Sequence, residues 1–171
     1  MSRTQYRLLV AGALLLVLGA VNFTIWQRED MLKNGTVVML ELAPVDPRSL
    51  MQGDYMALRF ALSRELSAVR EGADPITEGD VVVKRDARNV GVYQRIHRDG
   101  ETLAADEARI HFRVRRQDIR IATDAFFFRE GSAGAYRSAH YGELRVTPGG
   151  DATLVALRDK DLKLLGEEGK Q

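Results

Sequence analysis

The apolar positions fall into two regimes. Leu8 to Trp26 is a 19-residue run without a charged side chain, LLVAGALLLVLGAVNFTIW. It reaches the length a helix needs to cross a bilayer core of about 30 Å. Asn22 and Thr24 lie near its far end, where a polar group costs less than at the centre, and Trp26 suits the interfacial aromatic belt. Past Asn34-Gly35, a turn signal, the pattern switches to alternation with period two. Strands are predicted over Thr36–Ala43, Tyr55 to about Leu62, Asp80–Lys84, Val90–Ile96, Arg109–Arg115, Ile119–Phe127, Tyr141–Thr147 and Thr153–Leu157. Turn residues separate them at Asp86–Asn89, Asp99-Gly100, Arg116–Asp118 and Pro148-Gly149-Gly150. Ser63–Arg70 reads as a short helix with Ser63 at its N-cap and Gly72 past its end. Ala133–His140 has room for one further helical turn.

This spacing predicts a mainly β domain. It is an antiparallel sandwich or partly open barrel of about eight strands, with one or two short helices and one N-terminal transmembrane helix before it. The expected boundaries are 1–7 for the N-terminus, 8–26 for the anchor, 27–35 for a linker, 36–158 for the β domain and 159–171 for a charged, fraying tail. Leu40, Leu58, Phe60, Val81, Val83, Ile110, Phe112, Val114, Ile121, Leu144 and Val146 are the expected core. Phe126, Phe127 and Phe128 are consecutive, so at least one must point away from the main core.

The least generic wording is PVDPRSLMQGDYMALRF, Pro44 to Phe60. Pro44 and Pro47 each fix φ, remove a donor and bias the preceding residue toward extended geometry. Gly53 permits backbone that other residues resist, and Asp54 can accept from nearby amides. The stretch therefore reads as strand, rigid corner, tight turn, strand.

Composition narrows the chemistry. A net charge of +1 does not argue for nucleic acid. The absence of cysteine excludes disulfides, thiolate metal sites, a cysteine nucleophile and a lipidated cysteine. His97, His111 and His140 are scattered, with no metal-binding spacing, so neither metal nor cofactor is expected. Arg3 and Arg7 before the apolar run are matched in number by Arg28 and Lys33 after it. The short N-terminus with its amine favours the cytoplasmic side, which puts the large domain outside. A cleaved signal peptide is the competing reading. Leu18-Gly19-Ala20 is the nearest cleavage wording, but leucine stands where a small residue is wanted.

GDYMALRF, Gly53 to Phe60, resembles the motif that defines the GDYXXLXY family of bacterial membrane-anchored proteins, with Phe60 at the final tyrosine position. PVDPRSLMQ resembles the family's lead-in, and DAFFFREG at Asp124–Gly131 and AHYGELRV at Ala139–Val146 resemble its later blocks. The resemblance implies structural motif residues at Pro47, Gly53, Leu58, Phe60, Glu130, Gly131, Tyr141, Gly142 and Glu143. It implies no reaction. It does imply the bacterial inner membrane and, as partner, a polytopic membrane protein of unknown function.

Three constellations could carry chemistry. Asp46, Arg48, Asp54 and Tyr55 could form a partner or ligand surface on the rigid corner, or could satisfy the corner's own amides. Arg113 and Arg115, with Arg109, Arg116, Arg120 and His111, make a basic stripe that could meet anionic headgroups or an acidic partner. Ser49 and Lys84 invite comparison with signal-peptidase-like Ser/Lys hydrolases, to which DPRSLMQGDYMAL bears a loose resemblance. There the nucleophile would fall where Val45 stands, and Lys84 has Arg85 as its neighbour. The leading expectation is a non-enzymatic, membrane-anchored extracytoplasmic domain that binds or stabilises a membrane protein partner. The alternative is a Ser/Lys hydrolase or a catalytically dead relative of one.

Overall fold

The computed structural model describes residues 3–43, 51–52, 55–70, 77–116 and 118–166. They form two compact units, Met1–Asn34 and Gly35–Gln171.

The first unit is a single helix, α1, Arg3–Asn34. Its 32 residues span about 48 Å at the usual rise per residue. Asn22 donates to the Leu18 carbonyl at 3.0 Å and Thr24 to the Ala20 carbonyl at 2.9 Å. Both polar side chains are thus satisfied by the turn before them. The helix does not stop at Trp26. Lys33 meets Glu29 at 3.3 Å and Asn34 meets Asp30 at 2.7 Å, pairs four residues apart that support further turns. The expected linker at 27–35 is therefore helical through Asn34.

The second unit holds ten strands among the described residues: β1 Thr36–Glu41, β2 Met51–Gln52, β3 Tyr55–Ala57, β4 Glu78–Arg85, β5 Gly91–Ile96, β6 Glu107–Arg115, β7 Asp118–Ile121, β8 Ala125–Phe127, β9 Tyr141–Val146 and β10 Ala152–Arg158. One helix, α2 Leu62–Arg70, follows β3, and a 3-10 turn covers Ser132–Tyr136. The strands pair antiparallel in three sheets, ordered β1-β9-β10, β2-β3-β8 and β5-β4-β6-β7. The first and third sheets are joined at a single parallel bridge between Met39 and Val90, where the Met39 amide donates to the Asn89 carbonyl at 2.8 Å. That bridge is the exception to an otherwise antiparallel expectation. The His111 amide donates to the Gly150 carbonyl at 2.8 Å, which ties β6 to the β9–β10 turn. The strands thus curl into a half-barrel.

Its interior is the expected one. Val38, Leu40, Phe60, Val81, Val83, Ile110, Phe112, Leu144 and Val146 form one buried cluster, to which α2 adds Leu62 and Leu66. Val114 departs from expectation. It is only partly buried, near the open end of β6. β5 approaches β1 closely because Gly91 has no side chain: a Cβ there would stand 2.9 Å from Val38 Cγ1.

Three local expectations are corrected. Ile119–Phe127 is not one strand. Ala122 adopts a left-handed backbone, φ 54°, which turns the chain away from β6 so that β8 pairs with β3 instead. Ser63 does not cap α2, because its hydroxyl donates across to the Ile119 carbonyl at 3.2 Å. The tail does not begin to fray at 159. Asp159 accepts from the amides of Asp161 and Lys163, both at 2.9 Å, and Arg158 bridges Leu164. The chain therefore folds back on β10 as far as Leu165.

Candidate functional site

The motif blocks, far apart in sequence, meet at one place. Tyr55 lies opposite Phe127, Met56 opposite Phe126 and Ala57 opposite Ala125. The Leu58 amide donates to the Asp124 carbonyl at 2.8 Å, so Tyr55–Leu58 of the first block and Asp124–Phe127 of the second form one ladder. Two residues on, Phe60 bridges Leu42 and lays its ring against Gly142 of AHYGELRV. A second apolar cluster fills the angle between these pieces. Met56, Leu58 and Leu157 are its buried centre, and Leu42, Phe126, Phe128, Tyr136, Ala139, Leu154 and Leu165 pack around them. Alternation explains the phenylalanines. Phe126 and Phe128 turn in toward Tyr136, with ring centroids 5.3 and 5.2 Å away. Phe127 turns out, 75% exposed, beside Tyr55 at 5.8 Å.

Other motif residues among those described lie around this node. Glu143 is buried, at 6% exposure, and meets Arg158 at 2.6 Å and Arg145 at 3.7 Å. Arg158 also donates to the Leu162 carbonyl at 2.7 Å, which fastens the C-terminal turn. Gly131 is left-handed, φ 78°, at the start of the 3-10 turn that carries Tyr136, while Glu130 before it is exposed. Tyr141 is half-buried and packs edge-on against His140 at 4.8 Å. Asp46, Pro47, Arg48, Ser49, Gly53 and Asp54 lie outside the described residues.

The basic stripe is compensated only in part, at Arg109, His111 and Arg120. His111 Nδ1 sits 2.9 Å from Asp80 Oδ1, and Arg109 lies 3.6 Å from the same carboxylate. Arg109 further donates to the Pro148 carbonyl at 3.1 Å. Arg120 pairs with Asp124, and Asp118 pairs with Arg59. Arg113 Nε donates to His111 Nε2 at 3.4 Å. Among the described residues, no acidic side chain lies within ion-pair reach of Arg115 or Arg116. Lys84 is more than half exposed and pairs with Asp106 at 3.4 Å.

The strongest electrostatic perturbation lies elsewhere, in a clasp that the sequence did not announce. Arg95 on β5 reaches Glu101 at 2.5 Å and Glu107 on β6 at 2.5 Å. The Arg95 guanidinium and the Ala104 amide together lower the Glu107 carboxyl to about 2, and Glu101 is also held below the ordinary carboxylate range by Arg95. Asp86 is lowered by accepting from the amides of Val90 and Arg88 in the β4–β5 turn. These groups brace turns and loops. Among the described residues, no group of three or more His, Cys, Asp or Glu is placed to hold a metal ion.

What remains accessible at the motif node is the Tyr55–Phe127 pair and a groove of about 400 Å³ beside it. The groove is lined by Ala122, Thr123, Ala125, Phe126 and Phe127, and by Ala152, Thr153 and Leu154 from the start of β10. Sequence reading singled out the three motif blocks but not this groove. It depends on which strands end their sheets, and alternation does not reveal that.

The fold thus defines an antiparallel half-barrel preceded by a helix long and apolar enough, by length and composition, to cross a membrane. The model of the GDYXXLXY protein family matches residues 17–157, and the chain belongs to that family. No curated protein and no solved structure matches the chain.

Proposed function

We propose that this protein is a single-pass, non-enzymatic component of the bacterial inner membrane. Its N-terminus is cytoplasmic and its β domain periplasmic, and the domain binds or stabilises a polytopic membrane protein. The observation that carries the reading is the division of roles at the motif node. Leu58, Phe60, Gly142 and Glu143 are committed to packing and an internal ion pair, whereas Phe127 of the same node is presented to the outside beside Tyr55. A large aromatic held rigidly in the open on a strand is a common anchor of protein interfaces.

The test is a crosslinked pull-down of the full chain from native membranes, followed by identification of the captured proteins. Recovery of one multispanning membrane protein, reduced when Phe127 is replaced by alanine, is the expected result. Equal recovery with Phe127→Ala and with wild type would remove the node from the interface. Arg48→Ala is expected to lower recovery without changing the melting temperature. Ser49→Ala with Lys84→Ala is expected to leave recovery and phenotype unchanged, and a lost phenotype would favour the hydrolase alternative.

A further inference from the structure

We propose that the groove between β8 and β10 receives one extended segment of the membrane protein partner, which adds as a strand to the edge of β8. This rests on the partner-binding reading above. β8 ends the sheet β2-β3-β8, and β10 ends the sheet β1-β9-β10. Successive side chains on a strand point to opposite faces, so a cavity on one face touches every second residue. Here three consecutive residues of each strand, 125–127 and 152–154, line the groove. It therefore runs along the two strand edges.

The hydrogen-bond phase shows which backbone groups point into it. The bond from the Leu58 amide to the Asp124 carbonyl makes that position a hydrogen-bonded pair. Ala57/Ala125 and Tyr55/Phe127 are then the non-bonded pairs, and the N–H and C=O of Ala125 and Phe127 point away from β3. Thr123 corroborates the phase. Its hydroxyl accepts from the Ala125 amide at 3.3 Å and donates to the Ala125 carbonyl at 2.9 Å, so both groups lie on the same, outer side. No side chain among the described residues does this for Phe127. On β10 the bond from the Thr147 amide to the Asp151 carbonyl, at 2.9 Å, sets the phase. The backbone groups of Ala152 and Leu154 point outward by the same rule. The far half of that edge is already covered, since the Leu165 amide donates to the Leu157 carbonyl at 3.0 Å.

Exposed edges are usually blunted by charge, proline or a covering segment. β8 is covered by Thr123 at Ala125 but carries an exposed phenylalanine at 127, and Ala125 and Ala152 in the groove are small enough for another backbone to come close. The presence of strand edges from two sheets selects the occupant. A second folded copy would have to bring a whole sheet into the gap, whereas a single extended chain enters as a strand.

The experiment places a photoreactive benzoylphenylalanine at position 127 of the full chain in native membranes, with exposed position 92 as the control. The expected adduct from 127 maps to a soluble loop of a multispanning membrane protein, and 92 gives none. A proline at 127 removes only the outward-facing donor, a change edge strands tolerate, while a proline at 126 removes a ladder donor. Phe127→Pro is therefore expected to keep the melting temperature near wild type and to lower partner recovery by about tenfold. Phe126→Pro should destabilise the domain itself. Adducts from 127 only to lipid, to a second copy or to this chain itself overturn the proposal, as does full recovery with Phe127→Pro. The adduct map decides the matter even where a proline variant does not fold. Failure of the wild-type chain to recover any membrane protein overturns the parent reading, and this proposal falls with it. A partner recovered normally but crosslinked elsewhere overturns this proposal alone.

Discussion

Phe60 and Gly142 are matched in size: a Cβ on Gly142 would stand 2.9 Å from Phe60 Cε1 and 3.0 Å from Leu154 Cδ1. The last residue of one motif block therefore dictates a glycine in another, some eighty positions away. Gly142→Ala is expected to destabilise the domain by about 1–3 kcal/mol through overpacking. Phe60→Ala should cost about 3–5 kcal/mol, because it empties a fully buried site. Phe60→Leu added to Gly142→Ala should recover part of the loss, giving a coupling of about 1 kcal/mol in a double-mutant cycle. Urea unfolding of the four proteins measures this, and strict additivity would mean that ring and glycine do not share the space.

Glu143 is the buried acid of the described core, and Arg158 is its close partner. Glu143→Ala leaves Arg158 half-buried without its counter-charge, and a loss of about 3 kcal/mol is expected. Arg158 also holds the Leu162 carbonyl. The same variant should therefore loosen the C-terminal turn, read as faster proteolysis after residue 158. An unchanged cleavage pattern would separate the ion pair from the turn.

The Arg95 clasp predicts an acid limb. Glu107 is lowered from 4.5 to about 2, first by its bond to Arg95 and then by the Ala104 amide. A carboxyl lowered in the folded chain stabilises it fully above its unfolded value, near pH 4.5, and that stabilisation disappears as pH falls toward 2. Glu101 shifts the same way. Melting temperature should drop between those limits more steeply for wild type than for Glu107→Gln. Parallel curves would mean that the clasp is already open in solution.

The core was legible because alternation reports it directly. Ile110 and Phe112 are buried on the face the pattern assigns them, and Phe112→Ala should cost about 3–5 kcal/mol. Legibility failed where a single backbone angle redirects the chain. Ala122 carries no turn signal, yet its left-handed conformation splits one expected strand between two sheets. It failed again at the clasp, since Arg95 and Glu107 lie on the two strands that flank β4 and meet across it rather than by sequence spacing. The motif blocks were visible as wording, but their meeting at Phe60 and Gly142 required the fold.

The last prediction concerns the helix and the membrane. The uncharged run ends at Trp26, but α1 continues to Asn34 with the Glu29–Lys33 and Asp30–Asn34 pairs on its surface. On the single-pass reading proposed above, about 48 Å of helix exceeds a bilayer core of about 30 Å, and the charged final turns are expected in water or among headgroups. Phe23 and Trp26, with centroids 6.1 Å apart, are suited to the interface on that side. Arg28 and Lys33 there equal Arg3 and Arg7 in number and Glu29 and Asp30 count for little, so the N-terminal amine is expected to tip the orientation toward a cytoplasmic N-terminus. A reporter active only outside the cytoplasm, fused after Gln171, should be active, and the chain should migrate at full length. Adding two lysines after Trp26 should reduce the reporter signal, because it tips an otherwise even count of basic residues. Activity of a cytoplasm-only reporter at the same position would reverse the orientation. Loss of about 2 kDa from the N-terminus would make the segment a cleaved signal peptide and leave the domain without its anchor.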